Sequence, residues 1–368
     1  MTLLKWVIRL LFDVLYAIVA TGIVLADLSL VVVPTSKWMA VPSFIALAYE
    51  WLLVALVILT IAAVFMRHKR IVVISLIVLI LSIIPVSHTV SLWKTTPGHP
   101  TQHRLTVLTY NTLMLARNNR LKTTQPLTID MLKYLKQQDA DIVLLQEFQT
   151  IEGRKTTENG FSLDEVKKTL GYPYSFIDYK SYKGKRRYGM AVFSKYPLFD
   201  KQTIQYESSS NISDMCLTVI EHDTLLIVNN HLESIKLTDD NFDFSDRNSE
   251  QLKSKAHTII GKMLHAYPYR SKQARIVKEH IENSPYKTIV CGDFNDTPVS
   301  YTYHRLSHGL RDAYLAAHPY SFGHTFYHGP LGIRIDYVLC SRSLYPASAT
   351  LDRVSFSDHY PLKVTIEW

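Results

Sequence analysis

The sequence predicts an α/β domain with mixed sheets behind an apolar N-terminal anchor, and three observations carry that prediction. Hydrophobicity is concentrated before residue 94. Beyond it, short apolar runs alternate with helical patterns, without internal repeats. Five of those runs also stop at hard polar clusters: Tyr110-Asn111 after Leu105 to Leu108, Gln146-Glu147 after Ile142 to Leu145, Asn229-Asn230-His231 after Leu225 to Val228, Gly292-Asp293-Phe294-Asn295 after Thr288 to Cys291, and Ser357-Asp358-His359 near the C-terminus. Runs of this length, rich in Val, Ile and Leu, read as buried strands. Ends of neighbouring strands lie close together, so residues distant in sequence can share one crevice.

In chain order, the first candidate span is Val14 to Val33, weakened by Asp27, whose carboxylate is costly in hydrocarbon unless it sits at the interface. Phe44 to Met66 follows, interrupted by Glu50 near one end. Ile71 to Trp93 is the best span, since its 23 residues include no Asp, Glu, Lys or Arg. As a helix it would cross a hydrocarbon core of roughly 30 Å. A cleavable signal has one short apolar core and then stops, so three transmembrane helices are expected in an integral membrane protein. Lys5, Arg9, Arg67, Lys69 and Arg70 flank one side against Lys37 on the other. That asymmetry puts the N-terminus in the cytoplasm and everything after Trp93 on the exoplasmic or periplasmic side. The expected organisation is an anchor over residues 1–94, a linker rich in Pro and Gly over 95–102, and a catalytic domain over 103–368.

Within that domain, helices are expected over Leu127 to Gln137, over Ser162 to Leu170 with a Ser162/Glu165 capping box, and over Arg270 to Asn283. Cys216 to Ile220 and Leu225 to Val228 read as a hairpin. The formal charge of +8 is no nucleic-acid signature by itself, because residues 1–95 hold 7 Lys+Arg against 3 Asp+Glu and so account for half of it. Cys216, Cys291 and Cys340 lie inside apolar runs, an odd number without paired spacing, and read as buried thiols. Unpaired thiols are unusual in an exoplasmic domain.

The polar clusters suit water attack on a phosphate ester. Such esters resist hydrolysis through charge repulsion, so a hydrolase needs a hard cation, an aligned water and donors for the developing charge. Magnesium takes oxygen ligands, commonly one or two carboxylates with retained waters. Glu147 is the candidate carboxylate, with Asn111 beside it as a neutral donor. Asp293 and Asn295 are two apart, so in an extended segment they share a face. His359, flanked by Asp358, supplies an imidazole that a carboxylate would hold charged.

In order, Tyr110-Asn111, Gln146-Glu147, Gly189 to Pro197, Asn230-His231-Leu232-Glu233-Ser234, Gly292-Asp293-Phe294-Asn295, Arg334-Ile335-Asp336-Tyr337 and Ser357-Asp358-His359 resemble the motifs of the endonuclease/exonuclease/phosphatase superfamily over about residues 103–368. The resemblance implies a four-layer α/β sandwich, the deoxyribonuclease I-like fold. It implies catalytic roles for His231, Asp293, Asn295, Asp336 and His359, with Asp336 orienting His359. It implies metal contacts from Asn111, Glu147 and Asp358 to Mg2+, with Mn2+ as the alternative. Arg187, Tyr188 and Arg334 are candidate substrate contacts. Leu113 stands where apurinic endonucleases carry an acidic residue, and His231 where they carry Tyr, which argues against that branch.

Two further clusters have bland readings. The basic loop Lys183 to Arg187 could grip a phosphate backbone but reads first as a solvated loop, and Asp239, Asp240, Asp243 and Asp246 lack the glycine and closing glutamate of a calcium loop. The expectation is a membrane-anchored, magnesium-dependent phosphodiesterase whose partners are the lipid bilayer and a phosphate-ester substrate, with nucleic acid favoured. Phospholipid or inositol phosphate head groups are the alternative substrates, and an inactive membrane scaffold is the alternative of another class.

Overall fold

The computed structural model describes residues 3–95, 101–116, 127–152, 161–207, 209–235, 249–328 and 331–368. Most of the expected linker (96–100) and the acidic cluster from Asp239 to Asp246 lie outside them. Two six-stranded sheets form the domain. The first has the order β13-β14-β1-β2-β4-β3 and the second β5-β6-β7-β8-β12-β9. In the first sheet β1 is Arg104–Asn111, β2 Ile142–Ile151, β3 Tyr174–Lys183, β4 Arg186–Ser194, β13 Tyr345–Leu351 and β14 Leu362–Glu367. In the second, β5 is Phe199–Gln205, β6 Ile212–Ile220, β7 Asp223–His231, β8 Lys287–Asp293, β9 Leu310–Asp312 and β12 Asp336–Ser341. A two-stranded ribbon, β10 Phe326–His328 with β11 Leu331–Ile333, completes the set.

Alternation along the strands explains the layers. Leu105, Val107, Ile142 and Leu144 face Ile227, Ile289, Cys291 and Val338 across the sheet-to-sheet core. Their sequence neighbours Leu108, Tyr110, Val143 and Leu145 point the other way, against the helices Thr128–Gln137 and Leu163–Leu170. On the far side Leu226, Val228 and Val290 meet Ala274, Val277 and Ile281 of the helix Ser249–Glu282. Strands buried on both faces need continuous apolar runs. Each fully buried Val, Leu or Ile contributes about 1.5–3 kcal/mol. The capping box at Ser162 and Glu165 forms as the sequence requires. The three cysteines are free and buried. The helix expected to begin at Arg270 instead starts at Ser249 and runs through Pro268.

Among the described residues three spans are not found. One helical stretch, Leu3–Leu30, is long and apolar enough to cross a membrane, and it starts well before the expected Val14. Lys69–Leu81 and Ile83–Thr89 meet at 68° and amount to a second span only if taken together. Pro85 lacks the N–H that would continue the ladder across this break, which hydropathy does not register. Tyr49–Phe65 has 17 residues and falls short. An orientation counted on three crossings therefore no longer holds. These helices pack on one another and on Val299 of the domain.

Each sheet has a parallel pair at its centre, β1 with β2 and β7 with β8, and the register aligns Asn111 with Gln146 and His231 with Asp293. Asn230 lies opposite Gly292, where φ is +121° and an added Cβ would sit 2.1 Å from the Asn230 carbonyl oxygen. Gly292→Ala should cost at least about 2 kcal/mol, from the backbone strain and the clash together. Thermal unfolding would read this as a clearly lowered midpoint, and an unchanged midpoint would refute the close approach.

Candidate active site

Two of the candidates, Glu147 and Asn295, owe their direction to a local backbone device. The β2 to β4 pairing slips between Leu145 and Phe148, and within that bulge Glu147 has a φ of +49°. A bulge re-aims a side chain that regular alternation would send elsewhere. Thr112 supports the bulge, its hydroxyl donating to the carbonyls of Gln146 (3.1 Å) and Glu147 (3.0 Å). Asn295 is also left-handed, with a φ of +53°, and its amide donates to the Leu232 carbonyl at 3.0 Å.

Polar groups then cross from one sheet to the other. Gln146 Nε2 donates to Asn229 Oδ1 at 2.6 Å, and Asn111 Nδ2 donates to Asp293 Oδ2 at 3.0 Å. Asn111 Oδ1 accepts the Leu113 N–H at 3.2 Å. The other carboxylate oxygen of Asp293 accepts the Asn295 N–H at 2.8 Å. His231 Nε2 lies 3.9 Å from both Glu147 Oε1 and Asp293 Oδ2 and has no hydrogen-bond partner among the described residues. His359 Nδ1 meets Asp336 Oδ2 at 2.8 Å while its Nε2 lies 3.8 Å from Asp293 Oδ2. Asp293, Asp336 and His359 lie close enough together for their ligand atoms to share one metal ion.

Burial sets the charges. It pushes the Asp293 carboxyl up to about 7, with the Asp336 charge adding to the effect. Burial alone would lower His359, but the charges of Asp336 and Asp293 and the Asp336 hydrogen bond outweigh it and lift the imidazole to about 10. His231 is buried with no such anion bonded to it, and burial, helped by the His359 charge, lowers it to about 3. One histidine is thus a cation and the other neutral at pH 7.

The structure brings Asn111, Glu147, His231, Asp293, Asn295, Asp336 and His359 to one end of the sandwich. Asp358 precedes His359, and Ser357 Oγ donates to its Oδ1 at 3.3 Å. Arg334 does not join as a substrate contact. Its guanidinium is 1% exposed and donates to Asp312 Oδ2 at 2.9 Å and to the His88 carbonyl at 2.5 Å. Arg187 pairs with Glu152 at 2.5 Å, and Tyr188 lies beside it on β4. Sequence reasoning missed Thr112, Thr325 and Phe326. Thr325 Oγ1 accepts the Asp336 N–H at 3.0 Å, and the Phe326 ring packs edge-on against His359 at 4.9 Å. None of the three carries a titratable group or ends an apolar run, so no local signal marked them.

Residues 108–359 match the model of the Endonuclease/Exonuclease/phosphatase family. No curated protein matches the chain. A solved endonuclease/exonuclease/phosphatase from Beutenbergia cavernae superposes with a TM-score of 0.53 at 14% identity, covering 72% of each chain, and shows the shared fold. TDP2 from Caenorhabditis elegans aligns with a TM-score of 0.49 at 18% identity over 74% of this chain and 78% of that one. A family protein from Leptotrichia buccalis also scores 0.49, at 17% identity over 72% and 100%.

The site imposes a pH dependence on stability. A histidine raised to about 10 stabilises the fold fully below its ordinary value near 6.5, and that contribution is lost as pH rises to 10. In the acid range the raised Asp293 and the lowered His231 act in opposite senses between about pH 4 and 6.5 and offset each other. Metal-free protein should therefore lose thermal stability between pH 7 and 10, and His359→Gln should flatten that loss. Equal alkaline losses in parent and variant would contradict the dyad.

Proposed function

We propose that this chain, which belongs to the endonuclease/exonuclease/phosphatase family, hydrolyses phosphoric esters with a divalent metal ion while held at a membrane by its N-terminal helix. The observation that carries the reading is the convergence of Asn111, Glu147, His231, Asp293 and the Asp336–His359 pair on one strand-end crevice.

The residues present fit a hard divalent ion. Glu147 and Asp293 are oxygen donors set around an unpartnered His231 nitrogen, and Asp336 Oδ1 is buried without a hydrogen-bond partner among the described residues. Glu147, with Asn111 and Asp358, would hold the ion, Mg2+ by oxygen preference or Mn2+. Bound there, it would offset the charge of the phosphoryl oxygens.

Asp293 is a base matched to neutral pH, because a group near 7 both exists as its anion and takes a proton readily. It accepts the proton of the attacking water as the oxygen bonds to phosphorus and the ester P–O bond breaks. Asn111 and Asn295 hold the carboxylate in place through one hydrogen bond to each oxygen. His359, kept cationic by Asp336, stabilises the charge gathering on the phosphoryl group, and neutral His231 contributes a ring donor without adding repulsion to the cation.

Nucleic-acid phosphodiester is the substrate expected from the sequence resemblance. A phospholipid or inositol phosphate head group is the second reading. It is favoured by the apolar helices, which dock on the domain at the segment following Asn295 and at the helix Ser249–Glu282: Ser29 donates to the Val299 carbonyl and Tyr267 to that of Ser43. Full-length protein in detergent with Mg2+, offered single- and double-stranded DNA, RNA, sphingomyelin and inositol phosphates, separates the two readings. Exclusive turnover of lipid would remove the nucleic-acid reading.

Asp293→Asn keeps the shape and removes the base, so turnover should fall about 10²- to 10⁴-fold. His359→Ala should lose a comparable factor, and the double variant far less than the product, because groups acting as a unit are not additive. Glu147→Gln should raise the Mg2+ concentration needed for half-maximal rate. A folded Asp293→Asn protein working at the parent rate would refute the assignment.

A further inference from the structure

We propose that the N-terminal helical region is a positioning element of the catalytic site, acting through the Glu50–His324 pair on the segment that orients Asp336 and His359. This rests on the hydrolase reading above. Glu50 stands in the first turn of the helix Tyr49–Phe65, and its Oε2 meets His324 Nε2 at 2.5 Å across 274 residues of chain. Neither partner is freely solvated, with side-chain exposures of 24% for His324 and 12% for Glu50. Screening that makes surface pairs nearly worthless is therefore reduced here.

What His324 leads into is the support of the dyad. Thr325 Oγ1 accepts the N–H groups of both Ile335 (3.1 Å) and Asp336 (3.0 Å). The Thr325 N–H donates to the Ile333 carbonyl, the Tyr360 N–H to the Thr325 carbonyl, and the Tyr327 N–H to the Asp358 carbonyl. Phe326 forms a bridge with His359 and packs its ring against the imidazole. Residues 325–327 thus fasten the strand end bearing Asp336 to the loop bearing His359. On the other side, Gly323 turns the chain at a φ of +68° where a Cβ would strike the Tyr314 ring, so the entry to the segment has little room to adjust.

A carboxylate at the start of an apolar helix has an ordinary explanation, since it complements the helix N-terminus. That explanation does not require an imidazole at 2.5 Å, nor that imidazole's place next to the residue bonded to Asp336. A shift of about 1 Å in catalytic geometry can cost on the order of 100-fold in rate. Loss of the pair should accordingly lower turnover without changing substrate capture.

The test uses full-length protein in detergent with Mg2+ and the substrate identified by the panel. Glu50→Ala should lower kcat about 10- to 100-fold with KM within about twofold. It should also speed hydrogen exchange at the amides of Thr325, Tyr327, Ile335 and Asp336. Glu50→Gln, which can still accept a hydrogen bond from His324, should recover most of both. Asp13→Ala breaks the 3.0 Å His68–Asp13 pair within the helices and should leave kcat and these amides as in the parent. Should Glu50→Ala fail to fold, His324→Ala replaces it. Parent-like exchange or parent-like kcat in Glu50→Ala overturns the proposal, as does an equal effect from Asp13→Ala. If the parent turns over nothing in the panel, the hydrolase reading falls, and the exchange arm alone decides the positioning.

Discussion

Asp293 is buried to 1% exposure beside Asp336, and an uncompensated charge there would cost several kcal/mol, so its neighbours have to be understood as its compensation. Asn111 and the Asn295 N–H each bond one of its oxygens. His359 faces it as a cation, held so first by the charge of Asp336, which bonds the other ring nitrogen, and then by that of Asp293 itself. The compensation remains incomplete, which is why the carboxyl stays near 7 instead of falling to the usual range. Incomplete compensation is what the proposed role of Asp293 as proton acceptor draws on.

Holding that arrangement is a problem of aligning two sheets. Among the described residues no strand belongs to both sheets, so the alignment depends on packing of the shared core and on a seam of side-chain bonds at its end. Gln146 to Asn229, Asn229 Nδ2 to the Leu145 carbonyl and Asn111 to Asp293 are bonds that tie β1 and β2 to β7 and β8. The apolar core resists separation but does little against sliding, because dispersion is weakly directional. Hydrogen bonds are directional, so the seam contributes register where the core contributes cohesion. The polar cluster at the strand ends is in this way also part of what aligns the fold.

Much of this was legible in the sequence, and the limits have physical causes. Strands showed as continuous apolar runs because both faces of each sheet are covered, and polar residues at their ends stood out for the same reason. The capping box was readable because its two bonds span three residues. Glu147 was legible as a type, but its aim depends on a bulge that only the pairing with β4 reveals. Arg334 resembled a substrate contact because a buried guanidinium and an exposed one look alike in sequence, and Asp312 lies 22 residues away. The spans were overcounted because hydropathy records what a segment tolerates and not whether its helix is continuous.

The contacts between the helical region and the domain were the least legible, since each joins residues more than two hundred positions apart. They nevertheless share a pattern. Ser29, Ser43, Glu50 and His88 lie near helix ends, and they meet Val299, Tyr267, His324 and Arg334. Val299 follows the Asp293–Asn295 turn and Arg334 precedes Asp336, so the docking surface is continuous with the chain that builds the site. A helical region serving only as a tether would need a linker and no such surface. Polar contacts at these positions, where side chains must leave water on both sides, persist only if their geometry is kept, and keeping it constrains the same loops that hold Asp293 and Asp336.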